Sequence, residues 1–163
     1  MELRYWDACA FLGLLKKEPD KWEVCRAVLQ EAKAGNIQIV TSALTLVEVI
    51  KLKRRVPIGP EDAERIKRFF KHKWIDVRNL ERYTAETARE MVWEHGVEPK
   101  DAVHVATAVR SHIARLDTFD DDLVELDGRI GEPPLQITYP SVNQQALALE
   151  PKEDELDDQG QAQ

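Results

Sequence analysis

Along the first 140 residues, short runs of β-forming residues alternate with longer stretches whose apolar positions recur at helical spacing. Leu3, Arg4, Tyr5 and Trp6 read as a strand ending at Asp7, and residues 8–17 as a helix with Phe11, Leu12, Leu14 and Leu15 on its apolar side. Pro19 and Asp20 break it. A second helix is predicted over 21–34, with Trp22, Cys25, Val28, Leu29 and Ala32 on one face and Gly35-Asn36 as its C-terminal cap. Strand 37–40 follows, then Thr41 and Ser42 as capping residues for a helix over 43–55 that begins apolar and ends basic. After a turn, Pro60 opens a helix over 61–72 with Glu61 and Asp62 in its first turn. Strand 74–77, helix 81–95 stopped by Gly96, helix 99–112 opened by Pro99, strand 113–118, a helical turn over 121–126 and strand 135–139 complete the series. Alternation of this kind predicts an α/β fold, a parallel sheet with helices on both faces. In such sheets ligands bind beyond the carboxyl ends of the strands.

Composition narrows the class. With 163 residues, 43% hydrophobic and 33% charged, the chain fits one domain. A domain of that size buries roughly two-thirds of its unfolded surface, so it folds without a staple. Cys9 and Cys25 have no metal-ligand spacing and suit a reducing compartment. No signal peptide is read at the N-terminus, which carries Glu2 and Arg4, and no apolar run approaches the roughly 20 residues that span a bilayer. The expectation is a soluble, cytoplasmic protein. Beyond Pro140 periodicity is lost, and residues 141–163 read as a polar, acidic, disordered tail after a domain of residues 1–140.

The formal net charge of −7 argues by itself against a polyanionic partner. Its distribution changes that picture. Residues 150–163 hold six acids and one lysine, while 51–73 hold nine Lys or Arg against three acids. Lys51, Lys53, Arg54, Arg55, Arg65, Lys67 and Arg68 make a basic stretch that is commonly just a solvated face, and in a nuclease a track for RNA phosphates.

Four acids stand where a parallel sheet would use them. Asp7 ends the first strand, Asp120 follows the strand at 113–118, and Asp101 lies in the first turn of its helix, where the macrodipole favours a carboxylate. Glu48 sits inside the apolar run from Ala43 to Ile50, where an unpaired charge needs a partner. Two carboxylates 4 Å apart repel by about 4 kcal/mol at an effective dielectric of 20, and a hard divalent cation reverses that sign. The absence of Cys/His pairs points away from zinc. Such a set suits in-line hydrolysis of a phosphodiester. Thirty acids in the chain make four at element ends common enough that placement alone does not define a metal site.

These motifs resemble the PIN-domain family, and its VapC branch of toxin–antitoxin ribonucleases in particular. The resemblance rests on Tyr5 to Leu12 around Asp7, on Thr41 to Val49 around Glu48, on Pro99 to Ala108 around Asp101, and on Asp117 to Leu123, similar to the family's Thr-x-Asp. It covers residues 1–140. It implies a three-layer α/β/α domain on a five-stranded parallel sheet and a Mg²⁺- or Mn²⁺-dependent endoribonuclease. It also implies a homodimer inhibited by a cognate antitoxin. Asp7, Glu48, Asp101 and Asp120 take the four acidic positions, and Thr118 the supporting hydroxyl. Cys9 departs from the Ser, Thr or Asn common two residues after the first Asp, and a thiol is a weaker hydrogen-bond partner. In the run Asp120-Asp121-Asp122, Asp120 is chosen by its spacing from Thr118, ahead of Asp117 and Asp121.

Plainer roles stand beside these. Asp7 also suits a helix N-cap, Asp101 a first-turn acid, Glu48 a surface position and Asp120 a turn. His104, one turn after Asp101, fits a packed or paired histidine better than a functional one. Trp6, Trp22, Trp74 and Trp93 suit a core or a dimer contact, and Cys9 and Cys25 small buried positions. Two other functions share the pattern: a PIN nuclease of RNA processing or DNA, and a non-catalytic RNA- or protein-binding module.

Overall fold

The computed structural model describes residues 1–51 and 56–142. Lys53, Arg54 and Arg55 of the basic stretch, and the expected tail from 143 onward, lie outside the described residues.

Five strands form one parallel sheet: β1 (Glu2–Trp6), β2 (Ile37–Ser42), β3 (Ile75–Arg78), β4 (Arg115–Asp117) and β5 (Gln136–Thr138). Their order is β3-β2-β1-β4-β5. The chain winds outward from β1 through β2 to β3, then returns to the other side of β1 at β4. The gap between β1 and β4 is therefore the topological switch point, where the outgoing connections diverge and leave a crevice.

Strand alternation sorts the core into two layers. Trp6, Ile39 and Ile75 face one side, covered by α1 (Ala8–Leu15), α2 (Trp22–Lys33) and α4 (Ala63–Phe69). Tyr5, Val40, Leu116 and Ile137 face the other, covered by α5 (Arg82–His95), α6 (Pro99–Arg110) and α7 (Asp121–Val124). In the first layer Phe11 meets Phe70 at 5.0 Å between ring centroids and Phe69 meets Trp74 at 5.5 Å. Trp22 packs partly buried against this layer. Trp93 does not belong to the core: it is 70% exposed on α5, with the Arg89 guanidinium over its ring.

Helix ends follow the local chemistry. Gly35, with φ +83°, closes α2 in a Schellman turn: its N–H donates to Ala32 O at 3.1 Å and that of Asn36 to Glu31 O at 3.0 Å. His112, with φ +53°, closes α6 the same way, and Ile113 N–H donates back to Ala108 O at 3.0 Å. That cap delays the next strand, so β4 starts at Arg115 rather than at 113.

The expected helix over 43–55 is corrected among the described residues to one turn, α3 (Thr45–Glu48). Ile50 N–H donates to Val47 O at 3.3 Å, tightening the end, and Ile50 O accepts from Ile58 N–H at 2.9 Å. A carbonyl engaged by a residue eight positions on is not continuing a helix. The helix expected over 61–72 is likewise split, into a 3-10 turn (Pro60–Asp62) and α4. Among the described residues no helix is long and apolar enough to cross a membrane.

Candidate active site

Asp7 leaves the carboxyl end of β1 with extended backbone and caps α1, its Oδ1 accepting from Ala10 N–H at 2.9 Å. Its Oδ2 accepts from Thr118 Oγ1 at 2.6 Å. The register brings these together, since Trp6 and Asp117 are partners across β1 and β4 and the next residue of each strand lies at the switch point. The second carboxylate oxygen of Asp7 is thus held by Thr118 across the sheet. Thr118 Oγ1 also accepts from Asp120 N–H at 2.9 Å, so one hydroxyl ties two of the predicted acids. Asp120 caps α7 through Asp122 N–H at 3.0 Å and stays partly exposed.

Glu48 arrives from β2 by a different route. Thr41 Oγ1 donates to Trp6 O at 2.7 Å and lies 2.7 Å from Thr45 Oγ1, while Ser42 Oγ accepts from Leu44 N–H at 3.2 Å. This polar hinge sets α3 over the sheet end. It inverts the usual sorting: Glu48 is 4% exposed and its neighbour Val47 is 71% exposed. Glu48 Oε2 lies 2.7 Å from His104 Nε2, and Oε1 lies 3.2 Å from Lys100 Nζ. His104 Nδ1 lies 2.8 Å from the Tyr5 hydroxyl, which accepts from Ser42 N–H at 3.0 Å. His104 thus bridges the Tyr5 hydroxyl and the Glu48 carboxylate, so every member of this buried chain has a partner.

Charge balance shows how the acids share space. Burial raises the Asp7 carboxyl above its ordinary range, with Asp120 adding to it and His104, Thr118 and Ala10 N–H opposing. Asp101, half-exposed in the first turn of α6, is pushed up to about 6 by burial, then by Asp120, Asp7 and Glu48, against His104. For Glu48 burial acts upward, yet the hydrogen bond and charge of His104, with those of Lys100, outweigh it and hold the carboxyl low. Asp101 therefore feels the charge of Asp7, Glu48 and Asp120, and Asp7 that of Asp120, beyond the carboxyl ends of the strands.

Asp117 and Asp121 have other tasks. Asp117 is fully buried, accepting from Arg115 Nε at 2.6 Å and Trp6 Nε1 at 3.1 Å, with Arg4 Nη1 3.9 Å away. Asp121 accepts from the Tyr139 hydroxyl. In the basic stretch, Arg65 pairs with Asp62 at 2.9 Å and Lys67 with Glu64 at 2.7 Å, while Lys51 and Arg68 are exposed. His104 is buried and paired, as expected of a histidine in an apolar run, and one of its partners is the candidate acid Glu48; Lys100 was not singled out. The signal for both was Glu48 itself, a carboxylate in an apolar run that had to have partners.

The donor set fits a hard divalent cation: all four acids offer oxygen, and Asp101 is raised by burial and, after it, by the neighbouring acids whose charge such an ion would offset. Among the described residues no three His, Cys, Asp or Glu side chains are arranged to hold a metal ion as they stand. Glu48 has His104 on one oxygen and Lys100 on the other.

An α/β/α domain with acids gathered at the switch point of a parallel sheet has a known counterpart. The chain belongs to the PIN domain family, whose model matches residues 4–129. The fold is shared with Mycobacterium tuberculosis VapC20, described as a sarcin–ricin loop cleaving toxin. That structure is 18% identical, with a TM-score of 0.60 over 75% of this chain and 93% of the other. A toxin–antitoxin complex from Klebsiella pneumoniae is similar at 19% identity and a TM-score of 0.52, over 72% of this chain and 86% of the other. No curated protein sequence matches the chain.

Proposed function

We propose that the protein is a Mg²⁺- or Mn²⁺-dependent endoribonuclease, the toxin of a toxin–antitoxin pair. The observation that carries this reading is the gathering of four acids beyond the carboxyl end of the sheet, where burial first and then the other three acids push the Asp101 carboxyl up to about 6. Asp7, Glu48, Asp101 and Asp120 would hold the metal. A bound divalent ion supplies Lewis-acid stabilisation of phosphodiester charge and acidifies water. The chain's own residues prepare for it. Thr118 fixes the Asp7 carboxylate and the Asp120 backbone together, and His104, pinned by Tyr5, fixes the outer end of Glu48. Their buried placement keeps bulk water from the Asp7 and Glu48 oxygens. Lys51, Arg68 and the remainder of the basic stretch would guide the RNA backbone.

Family membership and the fold shared with VapC20 support RNA as substrate and an antitoxin as partner. The antitoxin would direct an Arg or Lys into the acidic pocket. A homodimer and a cytoplasmic location complete the reading.

The test is cleavage of a pool of structured RNAs in Mn²⁺ or Mg²⁺ against EDTA, with Asp7→Asn and Asp101→Asn in parallel. Metal-dependent cutting lost in both variants is the expected result. Cutting that survives both substitutions would remove the assignment.

A further inference from the structure

Glu48 is held by two unequal partners. On Oε2, His104 is 2% exposed and locked by Tyr5, a fixture of the core. On Oε1, Lys100 reaches in from the first turn of α6 with a side chain 67% exposed. The carboxylate it meets is only 5% exposed, so the pair runs from a buried acid to an ammonium on the solvent side, next in sequence to Asp101. A flexible stem with a hydrated head gives up such a contact easily. A divalent cation held by Glu48 would repel the ammonium beside Oε1, so the two compete for that oxygen. Cation entry therefore favours departure of the exposed Lys100, whereas the buried His104 can stay and keep Glu48 aimed.

We propose that Lys100 is an exchangeable counter-ion: it neutralises Glu48 in the metal-free protein, yields Oε1 to the incoming divalent cation, and then binds a phosphate of the substrate. The inference rests on the metal-dependent reading above. The main chain of Lys100 is fixed beside Asp101 in the first turn of α6, so the displaced ammonium remains at the pocket mouth. There the anion available to it is a backbone phosphate, for which lysine serves as a point charge.

The exchange is tested on the full chain with Mn²⁺ as probe, comparing the parent, Lys100→Met and Lys100→Arg. Lys33→Met serves as a charge-removal control, because Lys33 ends α2 at the opposite end of the sheet. Calorimetric titration of Lys100→Met should give Mn²⁺ affinity about 2–5-fold tighter than the parent, the scale of one exposed ion pair. Lys33→Met should leave it unchanged. Any loss of Tm that Lys100→Met shows in EDTA should disappear in saturating Mn²⁺, whereas a packing defect would persist. In RNA cleavage KM should rise several-fold with kcat little changed, and Lys100→Arg should recover it. Unchanged Mn²⁺ affinity in Lys100→Met overturns the exchange, and unchanged KM overturns the phosphate contact. A parent that binds no Mn²⁺ overturns the metal site itself and this inference with it, an outcome separate from the first two.

Discussion

A lone buried acid, Asp117, and a group of four acids lie toward the carboxyl end of the sheet, and they are built on opposite plans. Asp117 is fully buried and surrounded by donors: Arg115 at 2.6 Å, Trp6 Nε1 at 3.1 Å and Arg4 beyond. Burial raises its carboxyl, and the two guanidiniums and the indole work against that rise. The same arginines reach Ser141, through its carbonyl and its hydroxyl, and so fasten the chain leaving β5. On the other side, Asp7, Glu48, Asp101 and Asp120 share one buried imidazole and one exposed ammonium. The first group is satisfied by residues that cannot leave. The second retains repulsion that folding leaves unrelieved. A protein supplied with arginines next door could have neutralised the second group as it did the first. Leaving it acidic makes sense where a cation from solution completes it.

The largest difference should appear on substituting one acid from each group. Asp7→Asn or Asp101→Asn is expected to lower RNA cleavage by more than about 100-fold, above the range usual for a residue that merely supports a ligand. Asp117→Asn should act on stability instead, because it strips the charge from the partner of two arginines. A loss of about 3 kcal/mol is expected, or roughly 6–12 °C in Tm for a chain of this size. Cleavage measured well below that Tm should be retained. If Asp117→Asn abolishes cleavage at full stability, the contrast between the groups fails.

Thr118→Val sharpens the boundary, since Thr118 serves both acids of the pocket. Losing the donor to Asp7 and the acceptor for Asp120 N–H should lower activity about 10-fold and stability by about 1 kcal/mol. Mn²⁺ affinity should fall with the activity, and an undiminished affinity would place Thr118 outside the site.

The smallest effect is in pH. Asp101 titrates near 6 in the folded metal-free protein, above its unfolded value of 3.8. Folding therefore binds its proton more tightly than the unfolded chain does. The associated stability is fully present below about 4 and is lost as pH rises through about 6. Because the carboxyl is half in solvent, the gain is discounted to about 1 kcal/mol. Denaturant titrations of metal-free protein at pH 5 and pH 7.5 should show it, and Asp101→Asn should remove it. A metal-free stability that instead rises with pH through this window, and loses that rise in Asp101→Asn, would reverse the assigned sign.

Much of this was legible before any coordinates. The alternation of strands and helices implied a parallel sheet covered on both faces, and Asp7 marks the carboxyl end of β1. Gly35 and Pro99 fix helix boundaries through their own backbone chemistry. What stayed hidden was long-range pairing. Glu48 and His104 are 56 residues apart, and Tyr5 and His104 are 99 apart. Their meeting depends on strand order and on the one-turn α3, neither of which is encoded locally. Helical spacing continued past Glu48, yet Ile50 gave its carbonyl to Ile58, a competing bond that periodicity does not register. Asp120 was chosen from its spacing to Thr118, but the partners of the two alternatives were not legible: Arg115 and Trp6 engage Asp117, and Tyr139 engages Asp121.

The central claim is that one of two neighbouring acid groups is a cation site and the other is not. Calorimetric titration of Mn²⁺ into the parent, Asp101→Asn and Asp117→Asn tests it most directly. Saturable binding by the parent and by Asp117→Asn, abolished in Asp101→Asn, is the expected result. Binding that persists in Asp101→Asn, or is lost in a folded Asp117→Asn, would contradict it.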